Sequence, residues 1–394
     1  MMLNKTMYDL GASPNKIRQL FEYGRGRAAV VGPENVFDFS IGNPSIPAPA
    51  RVNEVALELI RDMDSLELHG YTSSMGDLPA RQAIAEDLNQ RYGVNAGGED
   101  LFLTCGAAPA LAAVIRALTV PQGELLTVAP YFMEYKVFAD SCGMDLRVVE
   151  PDIPDFQIRL DRLEALLTEH TQAVILNSPN NPSGSVYTRE TLEALAELLL
   201  RKAGEYGHPI YILADEPYRE LSYDGVEVPF IPTIYPNTIV CYSYSKCLSI
   251  PGERLGYIYI PKSAADSRAL YLAVAGSARS LGHICAPAIW QKMIVRCAGE
   301  RPDLAAYDRN RRALYEGLVQ MGYTVAKPDG AFYLFVKAPE GDSERFCERA
   351  MRKDLLVVPG TGFGCREYFR VCYAAEYDKV VRSLPIFRQL MDET

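Results

Sequence analysis

Between about Asp100 and Ile260 the chain alternates short runs of aliphatic and β-branched residues with longer stretches whose apolar positions recur every three or four residues. The short runs predict strands at Leu101–Thr104, Leu125–Ala129, Leu146–Val149, Ala173–Asn177, Ile210–Ala214, Ile239–Tyr242 and Gly256–Ile260. Between two of them, Leu192, Leu195, Ala196 and Leu199 fall on one helical face, with Thr188 as a start signal. Strands alternating with helices argue for an α/β unit, a mainly parallel sheet covered on both faces. After about Leu281 the texture changes. An arginine-rich helical stretch from Arg301 to Met321 leads into apolar runs at Gly330–Val336, Leu355–Val358 and Tyr368–Tyr373, which read as a smaller α+β unit. The segment before Ser45 finds no strand partner in the large unit and is expected to pack on the small one. The reading therefore assigns 46–280 to a large unit and 1–45 with 281–394 to a small one.

The chain's 394 residues exceed what one small core needs, in keeping with two units. Its net charge of −10 argues against a nucleic-acid surface. No apolar run is long enough to span a bilayer, and Met1 to Gly11 lacks a signal-peptide pattern, so a cytoplasmic protein with no membrane partner is expected. Nine cysteines without a CxxC pair fit reduced thiols. The four histidines (His69, His170, His208 and His283) form no metal-binding spacing, and no metal is expected.

The polar residues with chemical potential gather at predicted strand ends, where open α/β sheets bind ligands. Lys246 stands in Ser243-Tyr244-Ser245-Lys246-Cys247-Leu248, with Arg254 eight residues on. A lysine can form a Schiff base with an aldehyde cofactor, and nearby serines and an arginine can hold a phosphate. Thr104-Cys105-Gly106-Ala107-Ala108 runs from a strand into small residues and a helix, which suits an anion at a helix N-terminus and equally a plain tight turn. Pro130-Tyr131-Phe132 puts aromatic rings at a strand end, and Asn177-Ser178-Pro179-Asn180-Asn181-Pro182-Ser183-Gly184 is rich in turn residues. Asp215 ends an apolar strand, where an aspartate also commonly caps the next helix. Arg370 lies inside an apolar run and needs a partner, either an ion pair or a bound carboxylate. Gly360-Thr361-Gly362-Phe363-Gly364 has the wrong glycine spacing for a nucleotide loop.

The lysine segment and the Asn-Asn-Pro-Ser-Gly loop resemble those of the class I/II aminotransferases, fold-type I enzymes that use pyridoxal 5'-phosphate (PLP), and the likeness runs from Gly42 to Arg370 in that family's order. It implies that the amides of Ala107 and Ala108, with Ser243, Ser245 and Arg254, hold the cofactor phosphate. Phe132 would stack on its ring, with Tyr131 as the other candidate. Asn181 and Tyr218 would reach its phenolic oxygen, and Asp215 would keep its ring nitrogen protonated. Lys246 would form the Schiff base and move the substrate proton. Arg370 would clamp the substrate α-carboxylate, with Asn181 and the backbone of Gly42 beside it. Tyr71 would reach a neighbouring subunit's phosphate site, which makes the working unit a homodimer. The implied reaction moves an amino group from an L-amino acid, either aspartate or an aromatic or broad range of donors, to a 2-oxo acid such as 2-oxoglutarate. In one aspartate-using branch a lysine stands where this chain has Ala108. A PLP-dependent C–S β-lyase and a PLP-binding regulatory protein are the rival readings.

Overall fold

The computed structural model describes residues 3–12 and 16–393. In chain order its strands are β1 (Phe37–Asp38), β2 (Leu101–Thr104), β3 (Glu124–Val128), β4 (Asp145–Val149), β5 (Thr171–Asn177) and β6 (Tyr211–Asp215). They continue as β7 (Thr238–Ser243), β8 (Gly256–Tyr259), β9 (Tyr333–Lys337), β10 (Leu355–Leu356), β11 (Val358–Pro359) and β12 (Tyr368–Cys372). All seven strands predicted between residues 101 and 260 form one sheet in the order β2-β8-β7-β6-β5-β3-β4. Only β8 runs against its neighbours.

Successive side chains of a strand point to opposite faces, and here both faces are covered. On β5, Val174 and Leu176 join one core with Ile212, Ala214 and Val240. Ala173 and Ile175 join the core on the other face with Leu213, Ile239 and Cys241. Burial on both sides is why these strands read as continuous apolar runs. The helix Arg189–Tyr206 begins where its cap signal lies, the Thr188 side chain accepting from the Thr191 N–H.

The smaller assembly has a three-stranded antiparallel sheet, β11-β12-β9, and a parallel pair, β1-β10. Phe37 pairs with Leu355 and Asp38 with Leu356, which ties β1 to this assembly. Its core draws on Phe332, Leu334, Val336, Phe369 and Val371 and on the helices Leu304–Gln320 and Tyr377–Asp392. The helix Ala288–Cys297 falls after residue 281, yet it packs on the helices Ala50–Asp62 and Leu78–Tyr92. Met293, Ile294 and Cys297 are part of the large core. The two assemblies touch where Ala331 N–H donates to the Leu221 carbonyl and Gly330 N–H to that of Gly184. Among the described residues no helix is long and apolar enough to cross a membrane.

Candidate active site

The carboxyl ends of the parallel strands open onto a cavity of about 340 Å³ between the two assemblies. Asn177 ends β5, Asp215 ends β6 and Ser243 ends β7. Because β8 is antiparallel, its first residue Gly256 lies beside Ser243 and Thr104, and Arg254 just before it reaches the same edge. The smaller assembly contributes Tyr333 and Arg370, and Gly42 follows β1.

On the anion-binding side of the cavity, the helix Ala107–Leu118 starts without a side-chain cap, leaving its first amide groups open to a ligand. Gly106 before it has φ +98°, and a Cβ there would sit 2.8 Å from Arg254 Nη2. The Ser243 hydroxyl donates to Ser245 Oγ at 2.8 Å and accepts from the Ser245 N–H, while Arg254 Nη1 donates to Ser245 Oγ at 3.4 Å. Two hydroxyls, a guanidinium and a helix N-terminus thus form one anion cradle.

Lys246 Nζ donates to the Gly42 carbonyl at 2.6 Å and lies 5.6 Å from the centre of the Phe332 ring. Burial pushes its amine down to about 8, and the Arg254 and Arg370 charges push the same way. Asp215 is buried, which pushes its carboxyl up to about 7; Tyr135 opposes that by donating to Oδ2 at 2.5 Å. Asp215 Oδ1 is buried without a hydrogen-bond partner. The Asp215 carbonyl accepts from Asn177 Nδ2 at 2.8 Å, and Asn177 Oδ1 accepts from the Asn181 N–H at 2.6 Å. Asn181 Oδ1 in turn accepts from Arg370 Nη1 at 2.8 Å, while Arg370 Nη2 donates to the Ser40 carbonyl at 2.5 Å. This chain of bonds joins the large sheet to the small one. Tyr218 and Tyr333 share a hydrogen bond between hydroxyls at 2.9 Å, and Arg370 packs 4.6 Å from the Tyr333 ring centre.

Gly42, Ala107, Ala108, Phe132, Asn181, Asp215, Tyr218, Ser243, Ser245, Lys246, Arg254 and Arg370 all line this one cavity. Of the two candidate rings, Phe132 lines the wall and Tyr131 does not. Tyr71 is elsewhere, on the surface and 89% exposed. Sequence reasoning passed over Tyr135, Asn177 and Tyr333, although each carried a signal. Asn177 opens a string already marked for its turn residues, Tyr135 stands three residues after Phe132, and Tyr333 is a tyrosine in an apolar run, where its hydroxyl needs a partner.

The profile of the aminotransferase class I and II family matches residues 34–384. The chain belongs to the class I and II aminotransferases. It is 52% identical to an amino transferase from Eubacterium rectale of known crystal structure, with a TM-score of 0.97 over 100% of this chain and 99% of that one. Against the aspartate aminotransferase from Thermus thermophilus, solved with maleate, identity is 26% and the TM-score 0.84, over 99% and 100% of the two chains. Aromatic-amino-acid aminotransferase 2 of Thermococcus litoralis is 26% identical over 97% of this chain and 96% of its own. Aminotransferases of this family depend on PLP, and this one is a PLP-dependent transferase of fold type I.

The aminotransferase cavity fits that cofactor on its own evidence. Asp215 Oδ1, buried and unpartnered, is an acceptor waiting for a donor such as a protonated ring nitrogen. The cradle at Gly106 keeps free the space in which a phosphate would meet Arg254. A partly neutral Lys246 amine is competent to condense with an aldehyde.

Proposed function

We propose that this aminotransferase carries the amino group of an L-amino acid to a 2-oxo acid such as 2-oxoglutarate, with Lys246 as both cofactor anchor and proton carrier. The observation that carries the reading is the convergence of Lys246, Asp215 and Arg370 on one cavity. Bound PLP supplies an aldehyde for the amine and a ring that accepts electrons from the substrate Cα. Ser243, Ser245, Arg254 and the amides of Ala107 and Ala108 bind its phosphate. Asp215 Oδ1 holds the proton on the ring nitrogen, Asn181 and Tyr218 serve the phenolic oxygen, and Phe132 covers the ring face.

Arg370 binds the substrate carboxylate through its planar fork, with Asn181 and the Gly42 backbone beside it. Fixing the carboxylate selects which Cα bond is aligned for cleavage. Lys246 Nζ, poised near neutrality by burial, takes the proton from Cα and returns it at a neighbouring atom. The Gly42 carbonyl, which accepts from Nζ, holds the amine on the substrate side of the cavity. Among the described residues the only cations in the wall are Lys246, Arg254 and Arg370, each with a task already. Of the rest of the wall, Ile17, Leu111, Pro217 and Pro251 are apolar and Glu134 is the one charged side chain, which suits an apolar or aromatic donor side chain; the aspartate aminotransferases among its relatives keep aspartate as the second candidate.

The relatives favour neither the C–S β-lyase nor the regulatory reading. A homodimer is part of the proposal; it rests on the family resemblance, in which the residue matching Tyr71, 89% exposed here, reaches the neighbouring subunit's phosphate site. So is a cytoplasmic location, supported by nine cysteines that are all free. The test is a half-reaction: the PLP-loaded protein is mixed with single L-amino acids and no oxo acid. One equivalent of the matching 2-oxo acid per site, with the cofactor left in its amine form, is expected. Pyruvate and ammonia released only from β-substituted amino acids would overturn the proposal in favour of the lyase.

A further inference from the structure

Tyr135 is wholly buried on the helix Glu134–Cys142, and its ring packs edge-on to Phe132 at 5.7 Å. Its hydroxyl donates to Asp215 Oδ2 at 2.5 Å, while Oδ1 of the same carboxylate has no partner. A carboxylate tethered at one oxygen cannot turn freely, so the other oxygen keeps one direction. We infer that Tyr135 is a positioning residue for transamination: its hydroxyl holds Asp215 Oδ2 and presents Oδ1 as the single free acceptor for the cofactor's ring nitrogen. The inference rests on the reading of Asp215 as that nitrogen's partner.

The surroundings explain why a donor is needed there. The titratable groups that face the Asp215–Tyr135 pair are Tyr187, Tyr218 and Cys241, with Glu216 next in sequence. None of them is a cation, so none offsets the cost of a buried carboxylate. Burial favours the protonated acid, and the Tyr135 hydroxyl is the one group that pulls the other way. A protonated Asp215 would leave the ring nitrogen without an anion and weaken the ring as an electron acceptor.

The experiment uses the full-length protein, freed of cofactor and titrated with PLP by equilibrium dialysis from mildly acidic to mildly alkaline pH. It compares Tyr135→Phe, Asp215→Asn and the double variant. Phenylalanine keeps the ring that packs on Phe132 and removes only the donor. Tyr135→Phe is expected to weaken PLP binding about tenfold near neutral pH, the range for a hydrogen bond to a charged group. Because Asp215 then protonates more readily, the acidic loss of affinity should begin about one pH unit higher. The ionisation of Lys246 is present in every variant and cancels in the comparison. In the Asp215→Asn background the same substitution should change neither affinity nor pH dependence. In turnover, kcat should fall while KM for the donor stays nearly constant. Equal weakening by Tyr135→Phe in both backgrounds, or weakening without a pH displacement, would assign Tyr135 to packing and overturn the inference alone. An Asp215→Asn variant that binds PLP as tightly as the parent would overturn the reading of Asp215, and the inference with it.

Discussion

Arg370 carries a positive charge into the interior of β12, where it is 2% exposed and bonded to Asn181 and to the Ser40 carbonyl. A lysine cannot serve both partners and a carboxylate, because it offers a point charge in place of a fork. Arg370→Lys is therefore expected to lower kcat/KM about 100-fold, mostly through KM, with little change in PLP affinity; steady-state kinetics on the best donor checks this. Asp215 gives a prediction of another kind. Its folded carboxyl titrates at about 7, well above the ordinary unfolded value, so the folded state binds the extra proton between the two. Stability from this group is greatest at low pH and is lost as pH rises through that window. Asp215→Asn removes the dependence. The cofactor-free variant should thus gain stability over the parent by a few kcal/mol more above about pH 7 than near pH 4, measurable as the difference in Tm. At this scale the sequence disclosed the charged residues, since a lysine, an aspartate and an arginine in apolar runs stand out. It did not disclose Tyr135 or Tyr333, whose hydroxyls matter only through partners 80 and 115 residues away.

At the scale of elements, the site depends on where strands end. The strands of the large sheet were legible because burial on both faces makes each a continuous apolar run. The helix Ala288–Cys297 was not assignable in the same way, since an apolar helical face does not say which core it will join. The turn from β2 into the helix Ala107–Leu118 is a sensitive joint. Gly106 adopts φ +98°, where an L side chain is strained, and a Cβ would crowd Arg254 as well. Gly106→Ala should weaken PLP binding by at least about tenfold while the far-ultraviolet circular dichroism is kept, because the strain of about 1–2 kcal/mol falls on one turn. From the last residue of β6 onward, six residues show a division of labour. Asp215 and Tyr218 line the cavity, while Glu216, Arg219 and Glu220 form a buried ion network behind it. Arg91 and the Tyr242 hydroxyl also donate to Glu220, and Tyr242 contacts Cys247, next to Lys246. The stretch that follows Asp215 and the segment that carries Lys246 are thereby braced from the same side.

For the whole molecule, the two assemblies each supply part of the cavity, and under the proposed dimer the partner supplies more. Tyr71 is a surface residue in one chain, and only the family resemblance, not burial or spacing, suggests what would cover it. Subunit mixing tests its role. Tyr71→Ala and Lys246→Ala are each expected to be nearly inactive alone. In a mixed dimer one of the two sites would hold Lys246 from one chain and Tyr71 from the other, both intact. Dissociating and reassociating an equal mixture should restore roughly a quarter of parental activity, since about half the dimers are mixed and each has one sound site. No recovery in mixtures shown to exchange subunits would place Tyr71 in its own chain's site or in none.

The cavity gathers Lys246, Arg254 and Arg370, yet the molecule as a whole carries a net charge of −10. An approaching phosphate ester is repelled at long range and drawn in only once it nears the mouth. Screening by salt therefore weakens two opposing forces, and the longer-ranged repulsion is screened first. The speed of cofactor capture should accordingly rise from very dilute buffer to moderate ionic strength before it falls, giving the empty protein a preferred salinity for loading.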